Sequence, residues 1–331
     1  MNIDLSQIIE RVRSYEGLLR KQPIESVFDK LVLHGQPGLQ LPNFGDDAAV
    51  IPWKDGFLLL AADGIMTRLL LNEPYAAGKA AVMVTVNDIY SMGGRPLAMV
   101  NVLASGDEDH RSKVVEGIKK GCEKLKVPMV GGHLHPDALE NSPSLAVAIL
   151  GHANKLLRSH LAKAGDDLIL GVDLKGDKGC RSVVSWDANS GKTPEELLHR
   201  LEALPIIAEK ELAQACKDVS NAGILGTISI MMENSNKGAI IEVTSILKPA
   251  ELELSDWLIC FQSFGFVLSV NPKNSEKVIA LFREREITAA IIGRVIDEPI
   301  VTLKNGPDSK VLFDFRKDKI TGIVYQPNSG D

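Results

Sequence analysis

Three aspartate sites, each closing an apolar stretch, constrain this chain more than any other feature: Gly45-Asp46-Asp47-Ala48-Ala49-Val50, Ala61-Ala62-Asp63-Gly64 and Val86-Asn87-Asp88-Ile89. Each lies at the edge of a segment that reads as a strand or a buried helix, so a fold that buries those segments can bring the carboxylates together. Carboxylates gathered without basic partners repel one another, and the usual relief is a divalent cation with an anionic ligand behind it. The pattern therefore points to magnesium and a polyphosphate.

The chain has 331 residues, 45% of them hydrophobic, which suits about two domains with sizeable cores. Lys plus Arg number 37 against 43 Asp plus Glu, a formal net charge of -6. No basic stretch is dense enough for a nucleic-acid footprint, so nucleic acid is excluded as a partner. Cys122, Cys180, Cys216 and Cys260 are far apart and form no CxxC pair. That spacing favours reduced thiols in a cytoplasmic protein over a disulfide framework or a zinc site. The first residues lack the basic start and apolar core of a signal peptide. No apolar run approaches the roughly 20 residues needed to span a bilayer, and a soluble protein without membrane contact is expected.

Along the chain, Leu5 to Leu33 carries apolar residues at helical spacing, with Pro23 between two short helices. Ala48–Pro52 and Phe57–Ala62 read as a hairpin-like strand pair. Pro74 to Met92 is rich in small residues and reads as a closely packed buried helix ending at Gly93-Gly94-Arg95-Pro96, with Asp88 inside it. Strands are expected at Pro96–Ala104, Pro128–Val130 and Ser144–Gly151, with an amphipathic helix over Asp109–Lys126. The pattern weakens near residue 155. The second half offers a strand at Leu168–Val172, helices from Thr193 and over Ile206–Cys216, a small-residue helix over Ala222–Met232, and a helix over Ser275–Arg285. Further strands are expected at Ala239–Val243, Phe264–Val270, Ala290–Val295 and Ile300–Leu303. The fold class is α+β: a helical arm over 1–40, one lobe over 41–155 and a second over 156–331, with a cleft between the lobes.

Three constellations can carry chemistry. In the acidic trio, any single Asp is explained by turn capping. Asp88 stands out, because Asn87 and Asp88 sit in an apolar helix where an unpaired carboxylate is costly. Gly131-Gly132-His133-Leu134-His135-Pro136-Asp137 is the second. A glycine pair lets backbone approach a ligand and offers amides to phosphate oxygens, while His133 and His135 at alternate positions also have the spacing of metal ligands. The third, Lys217-Asp218-Val219-Ser220-Asn221-Ala222-Gly223, opens the second small-residue helix. Free amides there suit an anion and Asp218 suits a cation bound to it, whereas the plain alternative is an N-cap by Ser220 or Asn221. Gly191-Lys192-Thr193 imitates the end of a P-loop, but Trp186 stands where that motif needs glycine. Thr193-Pro194-Glu195-Glu196 instead has the form of a capped helix start.

Taken in order, Gly45-Asp46-Asp47-Ala48-Ala49, Asp63, Asn87-Asp88-Ile89-Tyr90-Ser91-Met92-Gly93-Gly94-Arg95-Pro96, Gly131-Gly132-His133 and Asp218-Val219-Ser220-Asn221-Ala222-Gly223 resemble the aminoimidazole ribonucleotide synthetase-like (PurM-like) superfamily. The resemblance covers about residues 40 to 300, and its most specific piece is the NDI…MGG.P element. It implies a first domain whose sheet pairs with that of a second subunit in a homodimer, a C-terminal α+β domain, and ATP bound with Mg2+ near the inter-domain cleft. It also implies Asp46, Asp63, Asp88 and Asp218 as metal ligands, with Gly45, Asp47, Asn87, Gly131, Gly132, His133, Ser220 and Asn221 near the nucleotide.

Departures bear on the reaction. Asn221 stands where thiamine-monophosphate kinases carry a second aspartate, and His133 where they have aspartate and the purine enzyme has glutamate. No cysteine precedes Cys122, which argues against selenophosphate synthesis, and Gly35-Gln36-Pro37-Gly38 is not the long glycine-rich flap of the purine enzyme. The expected activity is ATP-dependent phosphoryl transfer to a small metabolite, or activation of an amide or carbonyl oxygen as a phosphate. The alternatives are a nucleotide-binding homologue without turnover and a metal-dependent hydrolase using His133 and His135 with Asp137.

Overall fold

The structure, a computed structural model, describes residues 3–31, 45–261 and 265–325. Chain order begins with α1 (Leu5–Arg13), α2 (Glu16–Leu19) and α3 (Ile24–Leu31), then β1 (Ala49–Trp53), β2 (Gly56–Gly64), α4 (Thr67–Asn72), α5 (Pro74–Ser91), β3 (Arg95–Ala104), α6 (Glu108–Leu125), β4 (Met129–His135) and β5 (Ser144–Ala153). The strands β1 to β5 form a sheet of order β1-β2-β5-β3-β4, antiparallel except for the β3/β4 pair. α5 and α6 cover one face. The small residues of α5 are there because the two helices nearly touch: a Cβ on Gly78 would come within 2.2 Å of the Val114 carbonyl, and one on Gly117 within 2.1 Å of the Tyr75 carbonyl. Among the described residues nothing covers the other face, which exposes Ile51, Trp53, Leu60, Val100 and Val102.

The second lobe runs through β6 (Asp167–Val172), β7 (Asp177–Lys178), β8 (Trp186–Asp187), α7 (Pro194–Leu201), α8 (Ala203–Glu209), β9 (Ala215–Asp218), α9 (Gly223–Asn234), β10 (Gly238–Glu242), α10 (Leu254–Ile259), β11 (Gly265–Val270), α11 (Pro272–Glu284), β12 (Thr288–Ile296), β13 (Ile300–Asn305) and β14 (Asp308–Asp314). Its main sheet has the order β14-β13-β10-β12-β6-β11-β9. Two cores result. One joins the helix side of the first sheet to α7, α8 and α11, placing Ile89 and Met92 in the same apolar cluster as Leu204, Ile207 and Phe282. The other lies across the second sheet, among α1, α9 and α10. The lobes are thus welded by a shared core, with Arg95 reaching Glu202 and, at 2.7 Å, Glu209 across the seam.

Several sequence readings are corrected. The arm does not stand apart: Leu5, Ile8, Val12 and Leu18 are buried in the core of the second lobe. The expected helix over Ile206–Cys216 ends at Glu209, and β9 takes up its last residues, with Glu211 in the left-handed region at φ 52 between them. Gly131 and Gly132 lie within β4 rather than after a strand. Gly132 is glycine because a Cβ would meet the Asn101 side-chain oxygen at 2.1 Å. Thr193 does form the expected capping box with Glu196. The Gly35-Gln36-Pro37-Gly38 stretch and the strand start at Phe264 lie outside the described residues. Among the described residues, no helix is long and apolar enough to cross a membrane.

Candidate functional site

The fold brings one carboxylate from each of three elements to a single point. Asp47 comes from the turn before β1, Asp88 from α5 and Asp218 from the end of β9, and ligand oxygens of all three lie within 4.8 Å of one another. α5 can deliver Asp88 because its small residues let it pack close to both sheets, while β9 is an edge strand that ends at the seam. Asp63, at the end of β2, joins the wall of a 320 Å³ cleft that also contains Asp88, Asp218, Ser220 and Asn221. The opposite wall is the arm, through Arg20, Lys21 and Ile24.

Three cations, Lys217, Lys21 and Arg20, face the four carboxylates of Asp47, Asp63, Asp88 and Asp218. Lys217 forms an ion pair with Asp47, and Asp47 also accepts hydrogen bonds from the Ser91 hydroxyl at 2.6 Å and the Asp218 amide at 3.2 Å. Burial raises the Asp88 carboxyl well above the usual carboxylate range, and Asp63, Asp218 and Asp47 push it further while Lys217 opposes them. The Asp218 carboxyl is pushed up to about 8 by burial and then by Asp47, against Lys217. Asp63 keeps accessible surface in the cleft yet is enclosed by protein on most sides. That enclosure raises its pKa, Lys21 opposes the rise, and Asp47 adds to it. Burial alone would lower the Lys217 pKa, but Asp47 and Asp218 raise it above its usual value. The cluster holds more negative charge than its own cations balance, and protonation or a bound cation is the available relief.

Asp46, expected as a metal ligand, is not part of this cluster. Its side chain is inaccessible and turned the other way, onto the Arg158 guanidinium, the Ser159 amide at 2.6 Å and the His160 ring at 3.4 Å. Burial would raise its pKa, but the His160 hydrogen bond and the Arg158 charge hold it well below the usual range. Asp47, expected beside the nucleotide, joins Asp88 and Asp218 instead. Adjacent residues in a turn point in different directions, so which of the two enters the cleft is decided by where Arg158 lies. Gly45 serves this turn: it takes φ +101, and its carbonyl accepts from the Asn234 amide at 2.9 Å.

Ser220 and Asn221 line the cleft, and neither caps α9, whose first turn has no side-chain cap. Asn87 is fully buried, and among the described residues neither polar atom of its amide has a partner. Such an orphaned amide next to Asp88 leaves hydrogen-bonding capacity unused. Gly131, Gly132 and His133 are not brought to the cluster. Asp63 pairs with Val147, Val147 with Asn101, and Asn101 with Gly132, so Gly132 shares a cross-strand row with Asp63 three strands away, roughly 14 Å. His133 and His135 are exposed on the edge strand β4, their rings 4.5 Å apart, and with Asp137 they form no metal-ligand group among the described residues. Sequence reasoning missed Lys217, Ser91, Arg20 and Lys21. Lys217 had a usable signal, a lysine directly before Asp218 in an apolar strand; the arm residues had none.

Comparison with known proteins agrees with this architecture. Residues 45–153 match the family model for the N-terminal domain of AIR synthase related proteins, and 163–304 match that for the C-terminal domain. An uncharacterized protein of Methanocaldococcus jannaschii is 39% identical over 325 residues, covering 97% of this chain and all of that one. Phosphoribosylformylglycinamidine synthase subunit PurL of Methanopyrus kandleri is 26% identical over 95% of this chain, which spans only 45% of its length. Among solved structures, PurL of Thermotoga maritima complexed with ATP superimposes with a TM-score of 0.71 at 20% identity, over 87% of this chain and 50% of that one. AaThiL complexed with AMPPCP and TMP gives 0.63 at 16%, over 95% of this chain and all of that one. Two welded α+β lobes, matching domain models over both and a relative similar from end to end lead to one conclusion: the chain belongs to the AIR synthase related, PurM-like superfamily.

Proposed function

We propose that the protein is an ATP- and Mg2+-dependent enzyme that transfers a phosphoryl group to a small metabolite, or activates an amide or carbonyl oxygen as a phosphate. The observation that carries this reading is the convergence of Asp47, Asp88 and Asp218 in a cleft where, with Asp63, four carboxylates face three cations. The donor set fits a hard divalent cation: oxygen ligands only, from three separate elements, with the Asp88 and Asp218 carboxyls raised by burial and then by neighbouring carboxylates, and an Asn87 amide alongside that has no partner among the described residues. Asp47, Asp88 and Asp218 would hold Mg2+, with Asp63 at the rim. When bound, such an ion neutralises phosphate charge during an in-line transfer. The chain's own part is positional. Ser91 and Lys217 hold Asp47 in place, Ser220 and Asn221 line the nucleotide's path, and the arm closes the far wall. PurL and ThiL relatives with ATP or AMPPCP in their structures support the choice of nucleotide.

Isothermal titration calorimetry with Mg·ATP tests the assignment. Asp88→Asn should weaken binding about 100-fold or more, and unchanged affinity in that variant would overturn it. Asn221, neutral where related kinases carry an acid, favours a second reading in which nucleotide binds without turnover. Substrate-stimulated ATP hydrolysis across a metabolite panel excludes that reading.

The uncovered face of the first sheet supports a homodimer. Ile51, Leu60, Val100 and Val102 are each more than 40% exposed on one surface, and β4 has a free edge. Light scattering should give twice the chain mass; a monomer at micromolar concentration contradicts the dimer.

A further inference from the structure

Beside the carboxylate cleft lies a second recess of opposite charge. It measures 210 Å³, and its lining includes Tyr15, Arg20, Arg68, Arg181, Ser182 and Asn221. Arg20 and Asn221 also line the carboxylate cleft, so the two recesses share a wall. A more open hollow continues outward past Arg68 and Arg181.

The three arginines come from α2's end, from α4 and from the segment before β8. Among the described residues none forms a close ion pair, although the Arg181 charge and backbone N–H act on the Glu73 carboxylate and the Arg20 charge acts on that of Asp63. Two acids are near. Glu16 lines the recess, and Glu73 lines the hollow, where it already accepts the Ser182 amide at 2.9 Å and the Ser182 hydroxyl at 2.6 Å. Three permanent cations facing one small space repel one another. A bound oxyanion turns that repulsion into attraction, and the planar guanidinium matches carboxylate and phosphate oxygens in pairs. Burial pushes the Tyr15 hydroxyl up to about 12, so it stays neutral, and it donates to the Asn221 side-chain oxygen at 3.5 Å on the shared wall.

We propose that this recess binds the carboxylate or phosphate end of a small second substrate whose reacting end meets the nucleotide at Asp47, Asp88 and Asp218. The proposal rests on the reading of the carboxylate cleft as the Mg·ATP site, and it restricts the acceptor to an anionic metabolite.

Equilibrium dialysis with labelled inorganic phosphate, without magnesium or nucleotide, tests the recess separately from the cleft. Saturable binding of one phosphate per chain is expected, weakened at least tenfold in Arg68→Ala/Arg181→Ala, retained in Arg68→Lys/Arg181→Lys and retained in Asp88→Asn. Mg·ATP affinity of the alanine variant should stay within twofold of the parent. Displacement of the phosphate by succinate supports a recess open to carboxylates, and resistance supports one restricted to phosphate. The proposal is overturned by absence of saturable phosphate binding, by an alanine variant that binds phosphate normally, or by a parallel loss of Mg·ATP affinity, which would assign the arginines to the nucleotide. Phosphate binding without any ATP binding would leave the recess standing and remove the reading of the cleft.

Discussion

Asp46 and Asp47 are neighbours whose side chains are almost equally inaccessible, 0% and 4% exposed, yet their surroundings differ in kind. Asp46 faces a complete set of partners: a guanidinium, an amide and an imidazole. Asp47 also accepts a hydroxyl and an amide, from Ser91 and Asp218, but its one cation, Lys217, is shared with Asp218, and two further carboxylates crowd the same point. A buried acid with its charge fully answered is part of the scaffold. One left over-negative in a cleft is a place where a ligand finishes the neutralisation. The difference lies in the partners, since residue type and burial are the same.

That contrast can be broken in order of expected effect. Asp46→Asn strands Arg158 without its acid and should cost about 3–5 kcal/mol of folding stability by urea denaturation. Because the folded pKa of Asp46 lies below its ordinary value, the stabilisation is complete above the ordinary carboxylate range and lost as pH falls toward the folded value. The penalty should therefore shrink on acidification. A stable Asp46→Asn protein with weak Mg·ATP binding would reverse the roles of the two residues. Asp88→Asn should weaken Mg·ATP binding about 100-fold or more, roughly 2.7 kcal/mol, by calorimetry. The same substitution removes repulsion from the ligand-free protein and should raise its stability by about 1 kcal/mol in thermal melts without magnesium. The parent alone should then gain stability on adding Mg2+ and ATP. Smallest in energy but clear in readout, Val102→Asp on the uncovered sheet face should convert a dimer to a monomer in light scattering, with Mg·ATP affinity preserved if each cleft is complete within one chain.

Much of the fold was legible. Alternation and turn residues marked β1 and β2, the small-residue run marked α5, and Thr193 to Glu196 marked a helix start, because each is a local pattern. That Asp88 and Asp218 stand out from their surroundings was legible, since an acid in an apolar element has few other reasons to be there. The choice between Asp46 and Asp47 was not, because it depends on Arg158, more than a hundred positions away. That Gly131, Gly132 and His133 lie away from the cluster was not legible, for a related reason. A glycine pair next to histidine reads as a ligand loop, whereas Gly132 is needed to make room for Asn101 inside the sheet. The arm's place in the second lobe was hidden too: its apolar spacing shows a helix face but not which core receives it.

Sequence alone determined which segments are apolar, which helices can pack closely, and which acids must sit at their ends, since these follow from periodicity and side-chain volume within a few residues. Tertiary structure decided which acid meets which cation, and that the arm closes the cleft while three arginines gather beside it. Charge neutralisation acts over a few ångströms in space, so only the folded chain determines where it is complete and where it is left open.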